Sequence, residues 1–176
     1  MSDTIEVIEA KEKADDKDFF KERVKTMPLL IEWASPEIRN DKEIILTAVK
    51  VDGGALEFAS DKLKDDKDVL LSAVNQAAWV CCYASERLKA DKDVMYTAVK
   101  KDGQALYFAS EELRDDEDIV KAAIENKPII LKYASLRLRQ NKEIVKIALL
   151  NAGKEKETVI SFLPTELQNN EEFSNL

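Results

Sequence analysis

A block of 25 residues recurs through this chain and keeps its register over five full copies. Each copy begins with a tripeptide of the Asp-Lys-Asp kind, and an aromatic-Ala-Ser tripeptide follows at a constant distance. The first tripeptide starts at residues 16, 41, 66, 91, 116 and 141, and the second starts at residues 33, 58, 83, 108 and 133. We number these copies repeat 1 to repeat 6. Each copy must form the same small unit and pack on its neighbours, so the chain is a tandem-repeat protein.

One copy has the sequence of a short helical unit. Asp41 is a good N-cap residue, and the apolar residues at 44, 45, 48 and 49 fall on one face of a helix. Gly53 and its equivalent Gly103 are predicted to end this first helix as C′ residues. A second helix of about two turns follows, and Ser60 is predicted to cap a closing turn of the 3₁₀ type.

Alanine recurs at two positions of the repeat, where a small side chain allows close helix packing. The first copy lacks the first alanine and the last copy lacks the second. We infer that the first position faces the preceding repeat and the second faces the following repeat. The first position holds Ala48, Ala73, Ala98, Ala123 and Ala148, and the second holds Ala34, Ala59, Ala84, Ala109 and Ala134. The sequence thus predicts an all-α solenoid of about six short helix–helix–turn repeats.

The repeat boundaries also predict the domain organisation. The solenoid is expected to cover residues 16–169. Residues 1–15 are predicted to form an N-terminal cap or a frayed segment, and residues 170–176 a truncated repeat start or a C-terminal tail. In the last copy, about four extra residues precede Phe162 and Pro164 replaces the usual serine. Such departures are typical of the terminal copies that close a repeat array.

The composition argues against several classes of function. The chain contains no histidine, which removes His-based catalytic triads and most zinc sites. Its net charge of −8 disfavours nucleic acid as a partner. The acidic clusters at the N-caps lack the glycine and the distal glutamate of an EF-hand. We therefore expect no enzymatic activity, no cofactor and no bound metal.

The cellular location is predicted from cysteine usage and hydropathy. Cys81 and Cys82 are adjacent, and we interpret them as reduced thiols, which fits the cytoplasm. No apolar run is long enough to span a membrane, and the N-terminal residues do not resemble a secretory signal. A cytoplasmic protein is expected, with export by another route left open.

The fourth copy carries the repeat signatures in full. Asp91-Lys92-Asp93 opens it, and Phe108-Ala109-Ser110 follows. In this form the repeat resembles an uncharacterised family of short tandem helical repeats, catalogued as a domain of unknown function. The resemblance covers residues 16 to about 150 and implies an all-helical array, but it brings no catalytic residue, cofactor or ligand. A more distant likeness is to leucine-rich variant repeats, which alternate α and 3₁₀ helices.

Two sets of variable positions indicate a binding surface. The sixth position of the repeat is apolar in three successive copies, and the second helix carries two large aromatic residues. Exposed apolar and aromatic side chains are typical of protein interfaces. The candidate partner-binding residues are Leu46, Leu71, Tyr96, Trp79 and Tyr107. The alternative is that these side chains pack against the neighbouring repeat. A further position is aromatic in every copy and is predicted to belong to the core: Trp33, Phe58, Tyr83, Phe108 and Tyr133.

These features favour a non-catalytic protein-interaction scaffold whose partner is another protein. The alternative is an anion-binding module for an acidic protein, a lipid headgroup or RNA, because residues 121–156 carry nine basic and three acidic side chains. The anion-binding candidates are Lys127, Lys132, Arg137, Arg139, Lys142 and Lys146. The opposite charge of the two ends of the chain allows a monomer or weak head-to-tail self-association.

Overall fold

A computed structural model describes residues 4–169 and residue 173, and all of the regular elements in that part of the chain are helices. The predicted all-α repeat fold is confirmed. Each repeat consists of a first helix, a 3₁₀ helix and a short closing helix. The first helices span Lys17–Arg23, Lys42–Val51, Lys67–Val74, Lys92–Lys101, Glu117–Asn126 and Lys142–Ala152. The 3₁₀ helices of repeats 1–5 span Pro28–Trp33, Gly53–Phe58, Ala78–Tyr83, Gly103–Phe108 and Pro128–Tyr133. The closing helices span Pro36–Arg39, Asp61–Lys64, Glu86–Lys89, Glu111–Arg114, Leu136–Gln140 and Thr165–Gln168.

The first helix begins as its N-cap residue predicts. In repeat 2, Oδ1 of Asp41 accepts hydrogen bonds from the backbone N–H groups of Glu43 (3.0 Å) and Ile44 (3.2 Å). The same bonds recur at the N-caps of repeats 3, 5 and 6. They satisfy donors that a helix N-terminus otherwise leaves without a partner. Residues 44, 45, 48 and 49 are buried, so this helix turns its apolar face to the core.

The second element is a 3₁₀ helix, and the closing element is a turn of α-helix. The prediction of a 3₁₀ closing turn was therefore wrong. Because six 3₁₀ residues rise about 12 Å, a short segment can cover much of the first helix. A 3₁₀ helix has three residues per turn, and the buried Gly53, Leu56 and Ala59 follow that spacing. In the closing helix, Lys64 N–H donates to the Ser60 carbonyl at 2.9 Å, which is an α-helical bond.

Gly53 and Gly103 have a different role from the predicted one. Neither has a positive φ, so neither is a left-handed C′ residue. Each lies against the first helix of the next repeat. A Cβ atom on Gly53 would be 2.6 Å from the carbonyl oxygen of Ala73, and one on Gly103 would be 2.4 Å from that of Ala123. These contacts place the backbone carbonyls of Ala73 and Ala123 against the preceding repeat, and the facing direction of the alanine side chains stays a prediction.

The two ends of the array differ from the regular repeats. An α-helix, Ile5–Glu12, precedes repeat 1. In repeat 6, Gly153 has φ +50°, and a short 3₁₀ helix, Gly153–Glu155, leads into an α-helix, Lys156–Ser161. The predicted truncated repeat at 170–176 lies outside the described residues, except for Phe173, which is buried. The domain limits of 16 and 169 stay a prediction.

The chain divides into two compact units, Met1–Ser85 and Glu86–Leu176. Within each unit, consecutive first helices pack side by side, as do consecutive 3₁₀ helices. The core of the first unit includes Ile45, Leu56 and Leu70, which are fully buried. The core of the second unit includes Met95 and Leu106 in the same way.

Backbone hydrogen bonds join the closing segments of consecutive repeats inside each unit. In the first unit, Ser60 N–H donates to the carbonyl of Arg39 at 2.9 Å, and in the second, Ser135 N–H donates to that of Arg114 at 2.9 Å. Ser60 and Ser135 each cap their own helix through the side chain and tie the backbone to the preceding repeat. Within the described part of the chain, Ser35 of repeat 1 makes only the backbone bond, so the capping role does not extend to every copy.

Ion pairs connect the first helices of neighbouring repeats. Lys42 Nζ lies 2.7 Å from Oδ2 of Asp66, the N-cap of the next repeat, and Lys92 Nζ lies 2.8 Å from Oδ2 of Asp116. Partial burial is the largest single influence on the pKa of Asp66 and raises it. The hydrogen bonds from Lys42 and from backbone N–H groups together outweigh burial, so the pKa of Asp66 lies below its ordinary value.

This ion pair makes stability depend on pH. Because the pKa of Asp66 is lower in the folded chain, its contribution is complete above the ordinary value of 3.8 and is lost as the pH falls through the folded-state value. An Asp66→Asn variant keeps a good N-cap and removes the charge, so we expect a destabilisation of less than about 1 kcal/mol at pH 7. Urea unfolding at pH 7 and pH 2 should show this difference shrinking in acid. Asp61→Asn, on an exposed closing helix, is the control; an equal effect there would contradict the assignment.

Candidate functional site

The 3₁₀ helices present exposed aromatic side chains to solvent. In the first unit, Trp79 is 50% exposed, and in the second unit Tyr107 is 57% exposed. Both residues occupy variable positions of the repeat, whereas buried positions of the same helices carry small or aliphatic side chains. We call Trp79 with its neighbour Tyr83 the first ring pair, and Tyr107 with its neighbour Tyr133 the second ring pair.

The first ring pair is supported by the preceding repeat. The Trp79 ring lies over Gly54, where a Cβ atom would be 3.6 Å from Cη2 of the indole. Trp79 and Tyr83 meet edge to face, with ring centroids 5.8 Å apart. The Tyr83 hydroxyl donates to Oε2 of Glu57 at 2.8 Å, and this bond, with partial burial, raises the pKa of Tyr83 to about 12. Both rings are therefore held in place while half of the indole stays accessible.

The second ring pair joins two repeats. Tyr107 of repeat 4 and Tyr133 of repeat 5 have ring centroids 4.9 Å apart at an interplanar angle of 66°. Tyr107 also contacts the adjacent Phe108 at 5.1 Å. Lys132 Nζ lies 4.8 Å from the centroid of Tyr133 and 5.4 Å from that of Phe162, which are cation–π distances. Tyr107 thus contacts two aromatic rings, Phe108 and Tyr133, and a cation lies over the second of them.

The aromatic position predicted to belong to the core is half-buried in every repeat. The side chains concerned are Trp33, Phe58, Tyr83, Phe108 and Tyr133. That core assignment was wrong, because each of these rings is at the C-terminal end of its 3₁₀ helix and keeps part of its surface exposed. Its rings instead form the base on which the variable aromatic residues rest. In the first unit Lys11 Nζ also lies over the Trp33 ring, 4.1 Å from its centroid.

The sixth position of the repeat lies on the first helices, away from the ring pairs in each unit. Leu46 and Leu71 are half-buried, and Tyr96 is 42% exposed. Tyr96 lines a groove of about 400 Å³ between the first helices of repeats 4 and 5. The charged side chains of that groove pair with one another, as Lys100 does with Glu125 at 3.2 Å. The candidate residues therefore lie on two kinds of element: Leu46, Leu71 and Tyr96 on first helices, and Trp79 and Tyr107 on 3₁₀ helices.

The six basic candidates are dispersed in the second unit. Arg137 contacts Asp115 at 3.0 Å and Glu117 at 3.3 Å, and Lys132 lies over the aromatic rings. Lys142 and Lys146 are exposed on the first helix of repeat 6, and Lys127 is half-buried at the start of a 3₁₀ helix. Arg139 belongs to the closing helix of repeat 5 and donates from Nη1 to the Phe162 carbonyl at 3.4 Å. These residues do not line one common groove among those described.

Two features were missed by reasoning from the sequence. The first is Arg114, which shares a groove with Arg139. The available signal was that Arg39, Arg114 and Arg139 are separated by multiples of 25 residues and so occupy equivalent positions of the repeat. The second is an apolar groove of about 380 Å³ beside the N-terminal helix, lined by Val7, Met27, Leu29, Leu30 and Trp33 among others.

In residues 4–169 and 173, no three His, Cys, Asp or Glu side chains converge on a point where they could hold a metal ion. Over the same residues, no helix is both long and apolar enough to cross a membrane. Cys81 is fully buried, and Cys82 is half-buried.

The helical repeats and their exposed ring pairs define a tandem-repeat protein of the all-α class. A family model described as a domain of unknown function, DUF4116, matches residues 16–64, 41–89, 66–114, 91–139 and 116–168. The chain belongs to this family, as the resemblance of its repeats predicted. Each match covers two consecutive repeats, and each match begins one repeat after the previous one. No curated protein and no solved structure matches this chain.

Proposed function

We propose that this protein is a protein-interaction scaffold without catalytic activity of its own. The observation that carries the proposal is the exposure of Trp79 and Tyr107 at 50% and 57% while each ring is held by a second ring. Aromatic side chains dominate interface energetics, and rings that are already fixed lose little entropy on binding. Each ring pair is therefore suited to anchor an apolar side chain of a partner protein.

The composition supports the non-catalytic part of the proposal. The chain has no histidine, and a cysteine nucleophile needs an activating base and access to substrate. Cys81 is fully buried in a 3₁₀ helix. N-cap acids such as Asp66 also form ion pairs between repeats, and capping and pairing explain them.

The proposal predicts that one ring from each pair is needed for partner binding. We expect Trp79→Ala or Tyr107→Ala to weaken binding by more than about 1 kcal/mol, a loss of at least fivefold in affinity. Leu150→Ala is a matched control, because Leu150 is 60% exposed but lies on a first helix. Far-UV circular dichroism of each variant should match the wild-type chain, since these side chains are not in the core.

A partner can be identified with a photo-crosslinking amino acid placed at 79, at 107 or at 150. Crosslinking in lysate of the source cell should yield the same protein from 79 or 107 and little of it from 150. The affinity of that purified protein for the three alanine variants then gives the quantitative test. Equal crosslinking from all three positions, or unchanged affinity of both aromatic variants, would contradict the proposed surface.

A further inference from the structure

A polar groove in the second unit contains two arginines with unused donors. It has a volume of about 400 Å³ and is lined by Arg114, Arg139, Tyr133, Leu136 and Glu111 among others. The Nε–H groups of Arg114 and Arg139 are buried, and neither has a hydrogen-bond partner among the described residues. A ligand in the groove cannot reach these two buried atoms, so an incoming group would meet the outer Nη groups of both guanidinium ions.

The other hydrogen bonds of these two guanidinium groups are weak. Arg114 approaches Glu111 at 4.0 Å, and Glu111 is 91% exposed, so this pair is loose. Arg139 donates from Nη1 to the Phe162 carbonyl at the long distance of 3.4 Å. By contrast, Arg39 at the equivalent position of repeat 1 donates from Nε to the Ala34 carbonyl at 3.0 Å. The two later arginines thus have the same place in the repeat and more capacity to bind a ligand.

Neighbouring cations in the second unit are already neutralised. Lys92, Lys121 and Arg137 each lie within 3.5 Å of a carboxylate oxygen. Ser135 at the edge of the groove donates its hydroxyl to Asp115. Among the residues that line the groove, two arginines face one carboxylate, that of Glu111, which lies 4.0 Å from Arg114.

We propose that this groove binds the carboxylate of an acidic side chain in a peptide segment of a partner. The guanidinium fork matches a carboxylate in shape and gives two parallel hydrogen bonds. Glu111 leaves the groove with a net charge of about one, which suits a monoanion better than a doubly charged phosphate. Tyr133 and Leu136, which is 55% exposed, offer apolar contacts to the residues beside the acidic one.

This inference goes beyond the proposed function, because an acidic side chain would bind here whether or not Trp79 and Tyr107 anchor a partner. The two sites are nevertheless adjacent in the second unit, since Tyr133 lines the groove and also contacts Tyr107. A partner segment with an acidic residue next to an apolar residue would therefore fit both.

The test uses the Nε–H signals of the full chain in ¹⁵N nuclear magnetic resonance spectra. The six arginines give a small set of signals, which single Arg→Lys variants assign. The probe is the peptide acetyl-Leu-Glu-Leu-amide, with acetyl-Leu-Gln-Leu-amide as its uncharged match. We expect the signals of Arg114 and Arg139 to shift saturably with the glutamate peptide, while those of Arg23, Arg39 and Arg137 stay in place.

Paired variants complete the test. Arg114→Gln with Arg139→Gln should weaken binding of the glutamate peptide more than tenfold, whereas Lys146→Gln, an exposed charge on another helix, should change it less than twofold. Absence of any shift, equal shifts with the glutamine peptide, or uniform shifts of all six arginines would overturn the proposal. Inorganic phosphate that moves the two signals at a tenfold lower concentration than the peptide would overturn the carboxylate assignment. These variants leave Trp79 and Tyr107 unchanged, so failure of the groove and failure of the scaffold proposal are distinguishable.

Discussion

Replacing Gly103 by alanine should lower the free energy of unfolding by about 2 to 3 kcal/mol. The new Cβ atom would lie 2.4 Å from the carbonyl oxygen of Ala123 and 3.0 Å from Cβ of Lys127. Neither neighbour is a flexible side-chain end, so the backbones of repeats 4 and 5 must move apart. Gly103 N–H also donates to Oδ1 of Asn126 at 3.0 Å, and that movement would stretch this bond. The midpoint of urea unfolding, followed by circular dichroism, measures the effect.

Gly54→Ala is the matched control for Gly103→Ala. A Cβ atom on Gly54 would lie 3.1 Å from a side-chain oxygen of Asp52 and 3.6 Å from the Trp79 ring. Both are side-chain atoms that can shift by a few tenths of an ångström. Alanine also restricts the unfolded chain, which favours folding by about 0.4 to 1 kcal/mol. We therefore expect a change of less than about 1 kcal/mol for Gly54→Ala. If both variants were equally destabilised, close packing between repeats would not explain Gly103.

Leu106→Ala should destabilise the second unit by about 3 kcal/mol. Leu106 is fully buried in the 3₁₀ helix of repeat 4, so its removal loses apolar burial and leaves a cavity. Chemical unfolding of the full chain should show an earlier transition. A loss below about 1 kcal/mol would mean that this part of the core collapses around the missing side chain without cost.

Tyr107, the residue after Leu106, allows the effects of a substitution on stability and on partner binding to be measured separately. Tyr107 is 57% exposed, and Tyr107→Ala should retain most of the wild-type stability while losing partner affinity. Leu106→Ala, at temperatures where it stays folded, should retain that affinity. Two adjacent residues would then have opposite effects in the two assays. The same loss of stability in both variants would show that Tyr107 belongs to the core.

The sequence predicts best those elements whose cause is local. Asp41 and Ser60 act on backbone groups two or three residues away, so their helix starts follow from side-chain chemistry alone. The first copy lacks the alanine that Ala73 represents, and this absence allows the sequence to predict that the position faces the preceding repeat. The 3₁₀ helices could not be assigned in the same way, since a six-residue apolar segment fits either helix type and packing on the first helix decides between them.

The candidate site was predicted in part. Trp79 and Tyr107 were identified because large aromatic residues at variable positions stand out within a regular repeat. Their supports, Gly54 and Tyr133, belong to adjacent repeats and become evident only with the packing of one repeat on the next. Arg114 was missed because what distinguishes it from cations such as Arg137 is the lack, among the residues that the structure describes, of a carboxylate closer than 4.0 Å, which the residue type does not reveal. The position of a residue in the repeat can be determined from the sequence. Whether a charged side chain is paired with an opposite charge depends on the neighbouring repeat and requires the structure.

The placement of the Trp79 indole over Gly54 limits how the sequence can change at this position of the repeat. The two residues occupy the same position in consecutive repeats, so the side chain at this position in one copy limits the size of the side chain in the next. A library that randomises the position independently in adjacent copies would contain many members with two large residues in conflict. Alternating large and glycine-like choices along the array should yield folded members at a higher frequency. New binding specificities in this scaffold would then arise through substitutions in pairs of repeats.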